Sequence, residues 1–220
     1  MVTELPPDST DFRVRVAAEK RQRMRQRLLA ATLDACSGPG GPAAAVIDDI
    51  VSAAGVSRGA FYRHFASLDE AVTALVDSLV EEIVAAAQTT FPDIADAALG
   101  CALGTQLLLR RAADDREWAG FVARTGLLLD AAPLRAVLER TIGHGASHGA
   151  FAIGPIELAV DAVAGILLAG IRRLHNNPGT GAAYILDLSI ILLQALGVPL
   201  DIARRTAEAA ARRIGAGDPA

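Results

Sequence analysis

Residues 47–65 read IDDIVSAAGVSRGAFYRHF, and the spacing of their apolar side chains decides how the front of the chain folds. Ile47, Ile50, Val51 and Ala54 recur at helical intervals, which predicts a short amphipathic helix starting near Val46 and ending at Gly55. A glycine at that point can take the left-handed conformation that closes a helix, Val56 then packs inward, and Ser57 offers a hydroxyl to cap a second helix. The second helix is expected over Arg58–Phe65, with Phe61 and Phe65 on one face and Arg58, Tyr62 and Arg63 projecting from other sides. Helices joined this way form a helix-turn-helix, whose second helix enters the DNA major groove. Any small helical bundle also contains helix, glycine, helix, so spacing alone leaves both readings open.

Residue identities separate them. The run DDIVSAAGVSRGAFYRHF, preceded by a basic helix and followed by SLDEAVTALV, resembles the N-terminal domain of the tetracycline-repressor-like (TetR) family of transcription regulators, over roughly Lys20 to Val80. The resemblance implies a homodimer on a palindromic double-stranded DNA operator and a small-molecule effector bound in the C-terminal domain. On the second helix Arg58 and Ala60 are the base-reading candidates, because a guanidinium matches guanine O6 and N7 and an alanine meets a thymine methyl. Ser57, Gly59, Tyr62, Arg63 and His64 complete the expected DNA surface, mainly against phosphates. Three positions depart from the family pattern. Val46 stands near a usual threonine and can neither cap nor meet a phosphate, Val51 replaces an alanine where two helices cross, and Leu68 replaces a backbone-anchoring lysine.

Upstream, Arg13, Arg15, Lys20, Arg21, Arg23, Arg25 and Arg27 put seven basic residues into fifteen positions against one acid, Glu19. This is either a solvated helix end with a disordered arm or a phosphate-gripping segment, and its place beside the motif favours the second, with Arg21, Arg23 and Arg25 as DNA candidates. Residues 1–67 carry nine Lys or Arg against seven Asp or Glu, and residues 68–220 carry twelve against eighteen, so the two parts net about +2 and −6. An overall formal charge of −4 argues against a protein coated by nucleic acid and for a basic face on an acidic body.

At 220 residues and 52% apolar, the chain can bury a sizeable core without staples. Cys36 and Cys101 lie far apart on helical segments and are expected as buried free thiols, which suits a reducing cytoplasm. The first residues, MVTELPPDSTDFRVR, lack the apolar core of a signal peptide, and the longest apolar tracts, 162–171 and 188–200, fall short of the ~20 residues a bilayer requires. A soluble cytoplasmic protein is the expectation.

Helical periodicity continues through the rest of the chain, which predicts an all-α fold of nine or ten helices. The expected organisation is a disordered basic leader (1–18), a helix-turn-helix domain (19–66), a linking helix four (67–90) opened by the capping box Ser67-Leu68-Asp69-Glu70, and an effector-binding and dimerisation domain (91–220). Helix one is expected from Glu19 to Cys36, broken by GPGGP, and the domain boundary at Phe91 and Pro92. Later helices are expected at about 93–113, 115–129, 132–147, 155–176, 181–196 and 199–214.

The last segments are more apolar than half-exposed helices require. Small residues Ala162, Gly165 and Ala169 permit close approach, and Ile185, Leu188, Leu192 and Leu196 form a facing stripe; either the monomer buries them or they build a two-fold four-helix interface. Leu107, Trp118, Phe121, Leu128 and Phe151 either fill core or line an apolar effector pocket, with Asp161 as a polar contact or the partner of Arg172 or Arg173. His144 and His148 sit at i, i+4 but have no third metal ligand nearby, so a surface pair is the simpler reading. No nucleophile elbow, phosphate loop or paired metal motif is present, so no catalytic residues, cofactor or metal are expected. A DNA-binding or protein-interaction adaptor of the same fold without an effector pocket is the competing class.

Overall fold

The computed structural model describes residues 8–38, 40–90 and 94–216. Among these residues it is all-α: α1 (Asp8–Ser37), α2 (Ile47–Ala53), α3 (Arg58–Tyr62), α4 (Leu68–Thr90), α5 (Ala97–Asp114), α6 (Arg116–Thr125), α7 (Leu127–Asp130), α8 (Ala132–Ser147), α9 (Ile156–Asn176), α10 (Ala182–Ala195) and α11 (Leu200–Ala216). Among the described residues one 3-10 turn, Gly41–Ala43, forms at the end of the GPGGP segment.

Helix α1 starts at Asp8, eleven positions before the expected Glu19, so residues 8–18 of the anticipated leader are helical. Neither glycine nor proline interrupts residues 8–36, and Arg, Lys, Gln, Ala and Leu dominate the later turns, all good helix formers. Residues 1–7 of that leader, and the boundary placed at Phe91 and Pro92, lie outside the described residues. The helix expected over 115–129 is two helices, because Gly126 adopts a left-handed φ of 67° and its N–H closes α6 on the Val122 carbonyl at 2.9 Å. That break raises the number to eleven α-helices among the described residues.

The front core is small: Leu28 from α1, Ile50 from α2, and Phe61 and Phe65 around α3 are buried together. Helix α4 leaves this core under the anticipated capping box, with the Glu70 N–H donating to Ser67 Oγ at 3.1 Å and the Ala66 N–H donating to Glu70 Oε2 at 2.5 Å. In the body, α5 runs through the middle, packed by α9, α10 and α11. Its buried Gln106 donates from Nε2 to the Ala207 carbonyl at 2.8 Å, which satisfies a polar group inside the bundle and ties α5 to α11. The front joins the body where Ser37 Oγ donates to the Glu117 carbonyl at 2.7 Å, fixing the end of α1 on α6.

The apolar stripe assigned to a dimer divides. Ile185, Leu192 and Leu196 are buried inside the single chain, and Leu188 is half-buried against Gly170, where a β-carbon would strike the leucine side chain. These four residues therefore pack α10 onto its own bundle. Ala162, Gly165 and Ala169 remain exposed on α9, together with Leu158 (64% exposed) on the same helix and Ile191 (52%) on α10. No helix among the described residues is long and apolar enough to cross a membrane.

Candidate nucleic-acid interface and internal cavity

The turn between α2 and α3 forms as its residues dictate. Gly55 takes φ 62°, and the Val56 N–H reaches back to the Val51 carbonyl at 2.9 Å to close α2. Ser57 is extended and its Oγ accepts from the Ala60 N–H at 3.2 Å, capping α3. At the start of α2, Val46 occupies the N-cap and makes no side-chain cap, as valine must. Helix α3 ends at Tyr62, so Arg63 and His64 lie in the turn that follows rather than on the helix expected to reach Phe65.

With Phe61 fully buried and packed on Phe65 at a ring distance of 5.7 Å, the helix has one outward face. Ser57, Arg58, Gly59, Tyr62 and Arg63 are exposed on it, and His64 is half-buried beside them. Ala60 is not on that face. Only 7% exposed, it packs inward beside Phe61, so its methyl cannot meet a thymine and its place in base reading is withdrawn. Arg58 Nε lies 2.8 Å from Asp48 Oδ1 of α2, an acid that the sequence reading did not single out.

Helix α1 brings its basic residues to the same surface. Burial pushes the His64 imidazole below its ordinary pKa, and the neighbouring positive charges of Arg63, Arg21 and Arg25 push it further down. Arg25 also stacks over the Phe65 ring at 5.4 Å, and Arg27 NH2 donates to the Ala54 carbonyl, fastening α1 to the end of α2. Arg23 pairs with Glu19 at 3.9 Å, exposed, one turn away along α1. Arg21 and Arg25 are thus the basic residues of α1 placed beside the recognition turn, while Arg27 serves the fold.

The body contains a cavity of about 260 Å³ between α4, α5, α8 and α9. Its walls are chiefly apolar, with Ile83 and Val84 from α4, Leu108 from α5, Leu134, Val137, Leu138 and Ile142 from α8, and Val163 and Leu167 from α9. Cys101, Thr105 and Thr141 add small polar groups, and Arg140 is the one charged residue on the wall. Gly100, Gly104, Arg140 and Thr141 also border a more open hollow that includes Leu107, Asp96 and His144. Burial holds the Cys101 thiol at about 12, partly offset by a hydrogen bond with Thr105, so it is a neutral wall group. Asp96 caps α5, its Oδ1 accepting from the Ala98 and Leu99 N–H groups.

Most of the pocket candidates lie elsewhere. Trp118, Phe121 and Leu128 are completely buried in filled core, the Trp118 ring carrying the Arg111 guanidinium 5.2 Å from its centre. Phe151 is buried against Gly145, and Asp161 is exposed and paired with Arg135 at 2.6 Å, not with Arg172 or Arg173. Arg172 instead donates from Nε to the Ala123 carbonyl at 2.8 Å. Leu107 alone borders a hollow. Large aromatic side chains are what a core absorbs first, so they were poor markers of empty space.

A better signal was Gly100-x-x-x-Gly104 in the middle of α5. Glycine inside a helix costs roughly 0.5–1 kcal/mol relative to alanine. Close packing does not explain Gly104, since a β-carbon there meets no atom within 4 Å. The glycine leaves space. His144 and His148 stack with ring centres 4.2 Å apart, both exposed, and no group of three potential metal ligands occurs among the described residues.

The turn at Gly55 and the exposed basic face beside it have the geometry of a helix-turn-helix. Residues 37–75 match the family model described as bacterial regulatory proteins, tetR family. That match covers the N-terminal helices alone, which are similar to the corresponding domain of TetR-family regulators. No curated protein matches the chain in sequence. Among solved structures, RolR in complex with resorcinol has a TM-score of 0.67 at 24% identity, over 86% of this chain and 95% of that one. A putative tetR family transcription regulator from Shewanella sp. PV-4 has a TM-score of 0.68 at 20% identity, over 79% and 97%. FadR from Bacillus subtilis in complex with stearoyl-CoA has 0.63 at 18%, over 78% and 96%. At these identities the likeness is one of fold.

Proposed function

We propose that the protein is a homodimeric repressor that grips a palindromic operator through α3 and the base of α1 and leaves it when a small, mainly apolar effector fills the cavity. One observation carries the reading. Helix α4 starts beside the recognition turn, where Glu70 accepts from the Ala66 N–H, and its residues Ile83 and Val84 form a wall of the cavity. At 1.5 Å per residue those two ends are about 22 Å apart on one rigid element. A ligand that shifts this wall therefore moves the head, and a coupling of roughly 1–3 kcal/mol suffices for release.

The cavity supports an effector rather than a pocketless adaptor. Protein interiors are packed nearly as densely as organic crystals, so a mainly apolar space of this size within the bundle is one that a ligand gains contacts by filling. RolR and FadR are described with resorcinol and stearoyl-CoA, ligands with substantial apolar surface. The exposed strip of Leu158, Ala162, Gly165 and Ala169 on α9 with Ile191 on α10 suits a two-fold helix contact that sets two heads about one DNA turn, ~34 Å, apart.

The test couples both sites. Duplexes selected from a randomised library are expected to contain an inverted repeat, and uncharged monocyclic and short-chain compounds are then screened for release by fluorescence anisotropy. Gly104→Leu, whose β-carbon meets no atom within 4 Å and whose longer side chain takes up the space, is expected to bind the selected duplex normally and to lose release. Selection of no sequence overturns the DNA reading; unchanged release in Gly104→Leu overturns the cavity as effector site.

A further inference from the structure

Asp48 and Arg58 form the one ion pair that joins α2 to α3 among the described residues, with Arg58 Nε 2.8 Å from Asp48 Oδ1 and side chains 61% and 65% exposed. A pair this exposed adds little to stability, because water screens it and two flexible side chains must be held. It also places a carboxylate on the surface that faces DNA, where negative charge opposes phosphate. Neither folding nor general affinity accounts for it.

Guanidinium geometry does. The fork has five N–H donors in one plane, and a carboxylate on the Nε side leaves the two terminal nitrogens as the free edge. That edge keeps the spacing that a bidentate contact with guanine N7 and O6 requires in the major groove. A free arginine samples many rotamers and loses that freedom on binding; one already held beside Asp48 loses less. Asp49, the next residue of α2, and Arg63, beyond the end of α3, form no ion pair with Asp48 or Arg58.

We propose that Asp48 is a positioning residue for base recognition: it holds the Arg58 guanidinium from its Nε side so that the terminal nitrogens are offered to a guanine of the operator. This rests on the DNA-reading function proposed above. The experiment is selection from a randomised duplex library with the full-length wild type, Arg58→Ala, Asp48→Ala and Asp48→Asn, each checked for an unchanged thermal melt. Wild type is expected to enrich guanine at one position of each half-site, and Arg58→Ala to lose that enrichment. Asp48→Ala still binds, but its guanine preference there falls by roughly fivefold or more, within the range a bidentate contact supplies. Asp48→Asn, which keeps an oxygen facing Nε, falls between, and it decides the matter alone if the alanine variant does not fold. An Asp48→Ala protein that binds every sequence more tightly with guanine preference intact overturns the proposal, since Asp48 then only repels phosphate. Loss of preference in neither Arg58→Ala nor Asp48→Ala also overturns it, while a wild type that selects no sequence removes the DNA-reading function with it.

Discussion

The head and the body of this chain are built from the same kind of helix, yet they treat their side chains in opposite ways. In the head, α2 and α3 are only seven and five residues long, and a handful of buried groups, chiefly Leu28, Ile50, Phe61 and Phe65, hold a surface on which Arg58, Tyr62 and Arg63 stand in solvent. In the body, long helices bury aromatic and aliphatic groups almost everywhere and leave the proposed effector site as an absence, the space beside Gly104. The contrast teaches that a reading surface is written in residues, whereas a pocket is written in the residues that decline to fill it.

Removing one residue from the small head core gives the sharpest break between the regions. Phe61→Ala is expected to cost roughly 3–5 kcal/mol, enough to unfold the head. Mobility shift should show loss of DNA binding while circular dichroism retains the helices of the body; a cooperative loss of both would mean that the regions fold as one. The complementary break lies in the body. Gly197 has φ 79°, and a β-carbon there meets the Ala152 backbone carbonyl, which cannot step aside because the Ala152 N–H is bonded to the Leu196 carbonyl at 3.0 Å. Gly197→Ala should therefore cost more than about 1 kcal/mol in a urea melt and leave the head's DNA preference untouched.

A smaller effect sharpens the head. Ser57→Ala removes the cap on α3 and is expected to cost about 1 kcal/mol, weakening binding to all sequences alike. The smallest effect is in pH. His64 in the head and His175 in the body are both held below their ordinary pKa of 6.5, each by burial and then by neighbouring arginines, Arg63, Arg21 and Arg25 in the first case, Arg124 and Arg116 in the second. The unfolded chain then binds more protons just below pH 6.5, so this stability is fully present above 6.5 and is lost as pH falls through the window down to the folded pKa values. Melting between pH 7.5 and 5.5 should show a modest decline that His175→Gln reduces. On DNA, phosphate beside His64 reverses its sign, and operator affinity should rise slightly as pH falls in the same window; a His64→Gln protein that keeps the rise removes His64 from the interface.

Much of the head was legible because its determinants are local. The Gly55 turn, the Ser57 cap, the Ser67–Glu70 box and the Phe61–Phe65 face each depend on neighbours within four or five positions, and each formed as the spacing implied. Ala60 failed because periodicity in a five-residue helix does not fix which small residue turns inward; Phe61 and its core settle that. Asp48 went unnoticed because its partner is ten positions away across a turn.

In the body the local signals ran out. Trp118, Phe121, Leu128, Ile185, Leu192 and Leu196 are as apolar as pocket or interface residues, and only the packing of α6, α7 and α10 into the bundle shows that they are core. By itself the sequence determined an all-α chain with a basic helix-turn-helix at its front, because helix periodicity, caps and turns are short-range physics. Which faces stay exposed, where a cavity remains and which acid meets Arg58 were decided by tertiary structure, because burial and voids depend on residues far apart in the chain meeting at the same place.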